Sequence, residues 1–117
     1  MELQATRRDG TLLLQPQGRI NHTNAEAFQT ALAPHLEACT AQGDALLFDL
    51  SRLEYVSSAG LRIFMLASKK IAAAGGRMAM AAPQPVMQEI LEISRFNLIF
   101  RIHATVDQAV AALTAER

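Results

Sequence analysis

The sequence has a single cysteine, Cys39, so no disulfide can form within the chain, and a reducing compartment is implied. Neither charge is in excess. Eleven Lys and Arg balance eleven Asp and Glu, and the basic residues are scattered, so the basic stripe that nucleic-acid binding needs is missing. No apolar run approaches the roughly 20 residues of a membrane-spanning helix; the longest, such as Ala45-Leu46-Leu47-Phe48, have strand length. The N-terminal residues Met1 to Arg8 lack the apolar stretch of a signal peptide. A soluble, cytoplasmic protein without direct membrane insertion is expected. His22, His35 and His103 lie far apart, and no His or Cys stands at metal-ligand spacing, so neither a metal nor another cofactor is expected.

What remains is an ordinary globular composition. Half of the 117 residues are apolar and 19% are charged, which suits one domain over 1–117 able to bury about two-thirds of its unfolded surface. Residues 2–8 and 11–17 read as strands joined at Asp9-Gly10, a hairpin signal. Gly18 to His22 then leads into a helix for which Thr23 and Glu26 have capping-box spacing. Phe28, Ala31, Leu32, Leu36 and Cys39 form its apolar stripe, Pro34 predicts a kink or break, and Gly43 ends it. Ala45 to Leu50 is a central strand, and 51–56 a connection.

A second helix is predicted from Ala59 to Ala74 with Leu61, Phe64, Met65, Ser68 and Ile71/Ala72 inward, stopped by Gly75-Gly76. Arg77 to Ala82 is a strand. Pro83-x-Pro85 opens a third helix through Arg95, with Val86, Ile90, Leu91 and Ile93 as its apolar side. Leu98 to Ile102 is the last strand. Thr105 and Gln108 cap a terminal helix carrying Val106, Ala109, Val110 and Leu113. The order β-β-α-β-α-β-α-β-α predicts an α/β fold: a mixed sheet of four to five strands, largely parallel, with four helices.

Few residues suggest chemistry. Cys39 and the methionines Met65, Met78, Met80 and Met87 fall at core spacings. Gly75-Gly76 follows a helix rather than preceding one, which makes it a C-terminal stop and not a phosphate loop. Asp49, near the end of the central strand, could act as a general base but has no nucleophile or histidine near it in sequence. Ser57-Ser58 occupies the turn after the central strand, at the sheet end where ligands and modifications collect in open α/β folds. Serine there is also simply a good helix cap. A phosphate on Ser58 would meet the positive end of the helix and add about −1.5 to −2 charge, enough to disturb a docked partner. Arg62, four residues on, could reach that phosphate or an acidic group on a partner, and can equally be a solvated side chain.

The string Asp49-Leu50-Ser51-x-Leu53-x-Tyr55-Val56-Ser57-Ser58-Ala59-Gly60-Leu61 resembles the phosphorylation-site region of STAS-domain anti-sigma factor antagonists. The resemblance continues through Gly18-Arg19-Ile20-Asn21, Ala74-Gly75-Gly76-Arg77-Met78 and Ile93-Ser94-Arg95-Phe96-Asn97-Leu98-Ile99-Phe100, and so covers nearly the whole chain. Asn21 stands where Asp is usual, and Ser57 where many members have Asp before the acceptor serine.

The resemblance implies a STAS fold and a switch rather than an enzyme. The unphosphorylated form binds a GHKL-type kinase that is also an anti-sigma factor and releases the kinase's target. Phosphorylation ends that binding, and a PP2C-type phosphatase resets it. By position the acceptor is Ser58, with Asn21, Ser57, Ala59, Gly60 and Arg62 at the docking surface, in a monomer or weak dimer. Two other readings stay open: a STAS subunit of a lipid-transport ABC assembly that binds its ATPase, and a small α/β enzyme using Asp49 and the Ser57-Ser58 turn.

Overall fold

Asp9 and Gly10 both take left-handed backbone angles, φ 52° and 71°, as a two-residue hairpin demands. They join β1 (Gln4–Arg8) to β2 (Thr11–Gln15) in the computed structural model, which describes residues 3–116. The elements that follow are β3 (Gly18–Ile20), α1 (Ala25–Leu36), β4 (Ala45–Asp49), β5 (Leu53–Val56) and α2 (Ser58–Ala73). Then come β6 (Met78–Ala81), α3 (Pro85–Ile93), a 3₁₀ turn (Phe96–Leu98), β7 (Ile102–His103) and α4 (Val106–Ala115).

The main sheet has the order β1-β2-β4-β6-β7, antiparallel only between β1 and β2. Its centre is β4, where Ala45, Leu46, Leu47 and Phe48 are all buried. Strand alternation divides these residues between two cores. Leu46 and Phe48 join Leu12, Leu14, Phe28, Leu32, Phe64, Ile71 and Met87 on the face covered by α1, α2 and α3. Three rings stack there, Phe64 lying 5.3 Å from Phe28 and 4.8 Å edge-on from Phe48. On the other face Ala45, Leu47, Ala79 and Ala81 meet Ala109, Val110 and Leu113 of α4. The alanines on β4 and β6 leave room for that helix to sit close.

This is the mixed α/β arrangement expected from sequence, with four helices. Two strands were not anticipated. β3 and β5 pair parallel in a separate two-stranded sheet, with an irregularity between Gly18 and Arg19; they replace the predicted loop before the first helix and the predicted 51–56 connection. Both are too short for a periodicity to register. Arg19 lies over the Tyr55 ring at 4.5 Å and ties the pair together.

Other boundaries also move. The strand predicted over 2–8 covers Gln4–Arg8, with residue 2 outside the described residues. The Thr23/Glu26 box does not form. Thr23 instead bonds to Asn21, and α1 begins at Ala25. Pro34 neither divides α1 nor ends it, because it falls in the last turn; the carbonyl its ring leaves unbonded is that of exposed Thr30. Cys39 lies beyond the helix yet is fully buried, its N–H donating to the Leu36 carbonyl at 3.1 Å.

In α2 the buried positions are Gly60, Leu61, Ile63, Phe64, Ala67 and Ile71, so the predicted inward Met65 and Ser68 are only half-buried and Ala72 is exposed. α3 buries Met87 and Leu91 and leaves Val86 and Ile93 54% and 77% exposed. The strand predicted over Leu98 to Ile102 shrinks to Ile102–His103, since Arg95 turns left-handed (φ 64°) and Phe96–Leu98 form a 3₁₀ turn. Phe96 and Phe100 then pack edge-on at 5.4 Å. Gly75 takes φ 76°, as a helix stop requires, and Thr105 Oγ1 accepts the Gln108 N–H at 3.1 Å to cap α4 as predicted.

Candidate functional site

The two-stranded sheet delivers the start of α2. As β5 ends, the Ser57 N–H donates to the Ile20 carbonyl at the end of β3 (2.8 Å). Ser57 is extended (φ −82°, ψ 174°), and its Oγ accepts the Gly60 N–H at 3.4 Å, the geometry of an N-cap. Ser58 is therefore the first helical residue, one position earlier than sequence spacing predicted. It is exposed, and its hydroxyl has no hydrogen-bond partner among the described residues. The two adjacent serines thus divide the work: one half-buried and bonded to the backbone, the other presented to solvent. No acidic residue stands in the first turn of α2.

Gly60 fixes how closely this helix start sits on the strands. A Cβ there would lie 2.4 Å from Val56 Cγ2 and 2.8 Å from Ile20 Cγ2. Its role is packing beneath the site rather than exposure at it, since it is buried while Ala59 is half-buried.

Asn21 adjoins this turn through Ile20. Its Oδ1 accepts the Thr23 N–H at 2.9 Å and the Thr23 hydroxyl, an Asx turn that carries the chain from β3 into α1. Asn24, which sequence reasoning passed over, completes the turn. Its Oδ1 accepts the Asn21 N–H at 2.8 Å and its Nδ2 donates to the Arg19 carbonyl at 2.8 Å. The clustering of turn formers in Asn21-His22-Thr23-Asn24 was the available signal. At both places where the chain departs from the expected carboxylates, Asn21 and Ser57, the neutral side chain accepts a backbone N–H that a carboxylate could also accept. The hydrogen bonding is kept and the charge is dropped.

Arg62 is exposed, one turn into α2, and has no ion pair or hydrogen bond among the described residues. It lines a shallow hollow between α1 and α2 with His22, Glu26 and Ala59. Ser57, Ser58, Ala59, Gly60, Arg62 and Asn21 are thus brought to one end of the α1–α2 face.

Asp49 is engaged elsewhere. Its Oδ2 accepts from Gln15 Nε2 at 2.9 Å and its Oδ1 from the Ser51 N–H at 3.0 Å, which ties the ends of β2 and β4 together. No histidine contact to it is present among the described residues, and no group of three or more His, Cys, Asp or Glu could hold a metal ion among them. No described helix is long and apolar enough to cross a membrane. Burial lifts the Cys39 thiol to about 11, and the nearby Asp44 carboxylate adds to that rise.

Residues 2–109 match the family model of the STAS domain. A curated relative from Bordetella bronchiseptica, BtrV, described as an anti-sigma factor antagonist, is 34% identical over 112 residues, covering 96% of this chain and 94% of its own. Among solved structures, an anti-sigma factor antagonist from Thermotoga maritima superposes with a TM-score of 0.84 at 21% identity, covering 95% of this chain and 93% of that one. The anti-sigma factor antagonist SpoIIAA in its unphosphorylated form gives 0.76 at 17% identity over 97% of both chains. The Bacillus protein in its phosphorylated form gives 0.67 at 17%, covering 95% of this chain and 98% of that one. At identities this low the structural likenesses speak for the fold, while the family match and the Bordetella relative speak for descent. The chain belongs to the STAS-domain family of anti-sigma factor antagonists.

Proposed function

We propose that this protein is a phospho-regulated antagonist whose switch is Ser58. In its unmodified form it binds a serine kinase of the GHKL type that doubles as an anti-sigma factor, and so frees that kinase's target. The kinase then transfers the γ-phosphoryl of ATP to Ser58. The Ser58 Oγ–P bond forms, the bond to ADP breaks, and the hydroxyl proton passes to a base on the kinase. A PP2C-type phosphatase restores the hydroxyl by hydrolysis, releasing inorganic phosphate.

The observation that carries this reading is the division of labour between Ser57 and Ser58. A serine that only capped α2 would be bonded to the helix start, as Ser57 is. Ser58 is exposed, and neither its hydroxyl nor the backbone N–H groups of Ser58 and Ala59 have a partner among the described residues. A phosphate there is compatible with the helix dipole and needs no local unfolding. Its charge falls on a surface without nearby carboxylates in the same turn, so the change in surface potential on modification is large.

The test is calorimetry with the cognate kinase. Ser58→Ala should bind as the parent does, and Ser58→Asp at least about tenfold more weakly, since a charge misplaced at an interface costs more than ~1.4 kcal/mol. Equal affinity of the two variants would favour a constitutive subunit, such as one bound to the ATPase of a lipid-transport ABC assembly.

A further inference from the structure

We infer that Arg62 is the internal receptor for the phosphate on Ser58, folding back along α2 to pair with it. The inference rests on the switch reading above and assigns to Arg62 a positioning role within it.

Three observations converge on Arg62. First, it stands at i+4 from Ser58, so the two side chains lie on the same face of α2, about 5–6 Å apart at their Cβ atoms. Second, it is unspent. Arg7, Arg8 and Arg101 are held by Asp44, Asp107 and Glu116, Arg77 by the Leu113 carbonyl and Arg19 by the Tyr55 ring. Like Arg52 and Arg95, Arg62 has no such side-chain partner among the described residues, although Glu26 lines the same hollow. Third, the helix offers it no counter-charge: a cation near a helix start opposes the dipole, and no acidic residue stands in the first turn of α2 to offset it.

A dianionic phosphate at Ser58 removes this mismatch. It would take the guanidinium on one side and the free N–H groups of the helix start on the other, a charge-assisted arrangement that Arg forms well. Phosphorylation then does two things at once. It adds negative charge at Ser58 and withdraws the positive charge of Arg62 from whatever acidic group a partner places against it.

The test is a ³¹P titration of protein carrying genetically encoded phosphoserine at position 58, which needs no kinase. The phosphate's second pKa, near 6 when unpaired, should lie about 0.3–0.7 pH units lower in the parent than in Arg62→Gln, the range an exposed ion pair produces. Arg62→Lys should restore part of the shift. His22 and Glu26, which face the same hollow, are present in all three proteins and cancel in the comparison. An unchanged phosphate pKa in a folded Arg62→Gln protein overturns the clamp. Absence of phosphate on protein from native cells would overturn the switch reading instead, and leaves this titration unaffected.

Discussion

Ser57 Oγ accepts the Gly60 N–H, and in doing so it relieves its neighbour Ser58 of any duty at the start of α2. The two serines are equivalent in composition and adjacent in sequence, yet only one is structurally employed. Capping and modification can therefore be separated by mutation.

Ser57→Ala should lower stability by about 1 kcal/mol through loss of the cap, while phosphate incorporation at Ser58 persists. Urea unfolding and phosphopeptide mapping read the two effects independently. A stability loss of the same size in Ser58→Ala would contradict the assignment of the cap to Ser57.

Gly60→Ala should be more damaging than either. The new methyl would fall 2.4 Å from Val56 Cγ2 and 2.8 Å from Ile20 Cγ2, so α2 must lift off β3 and β5. An overpacked contact of this kind costs about 1–3 kcal/mol. The lowered denaturation midpoint should be accompanied by shifted amide resonances at Ser57, Ser58 and Ile20. An unshifted spectrum would show that the helix start does not depend on this contact.

Asn21→Asp should leave stability within about 0.5 kcal/mol of the parent, because Asp Oδ1 can accept the same Thr23 N–H and hydroxyl bonds. Asn24→Ala removes two bonds, from the Asn21 N–H and to the Arg19 carbonyl. It should cost more, about 1–2 kcal/mol. The order of the two denaturation midpoints decides the matter. If Asn21→Asp is the more destabilised, the amide of Asn21 has a role that its oxygen does not explain.

Cys39 should resist alkylation in the folded protein. Its thiol is fully buried and raised to about 11 from the ordinary 9.0, which leaves roughly a hundredfold less thiolate near pH 8 than in the unfolded chain. Because the raised pKa favours the neutral thiol, its contribution to stability is complete below pH 9 and declines as pH rises from 9 towards 11. Iodoacetamide labelling followed by intact mass should be slow without urea and fast with it; equal rates would place Cys39 outside the core.

The parts of the fold that could be read from sequence were those carrying strong local signals. The Asp9-Gly10 hairpin, the Ala45–Phe48 apolar run of β4, the Gly75 stop and the Thr105 cap are each specified by a few neighbouring residues, and each is present. The rest depended on tertiary context. β3 and β5 are only three and four residues long and are strands because they pair with each other. Val86 and Ile93 fit an apolar helical face by spacing, but α3 rests on Met87 and Leu91 instead. At the site, the Ser57-Ser58 pair at a helix start was legible, and which of the two is the cap was not. That depends on the Ser57 N–H reaching the Ile20 carbonyl, a bond between residues 37 positions apart in a sheet the sequence did not announce.

The central claim is that Ser58, rather than the capping Ser57, is the phosphoacceptor. The most direct measurement is site-resolved mass spectrometry after incubation with the cognate kinase and ATP, on the parent and on Ser58→Ala. One phosphate, located at Ser58 in the parent and absent from Ser58→Ala, is the predicted result. Phosphate mapped to Ser57, or retained in full by Ser58→Ala, would contradict it.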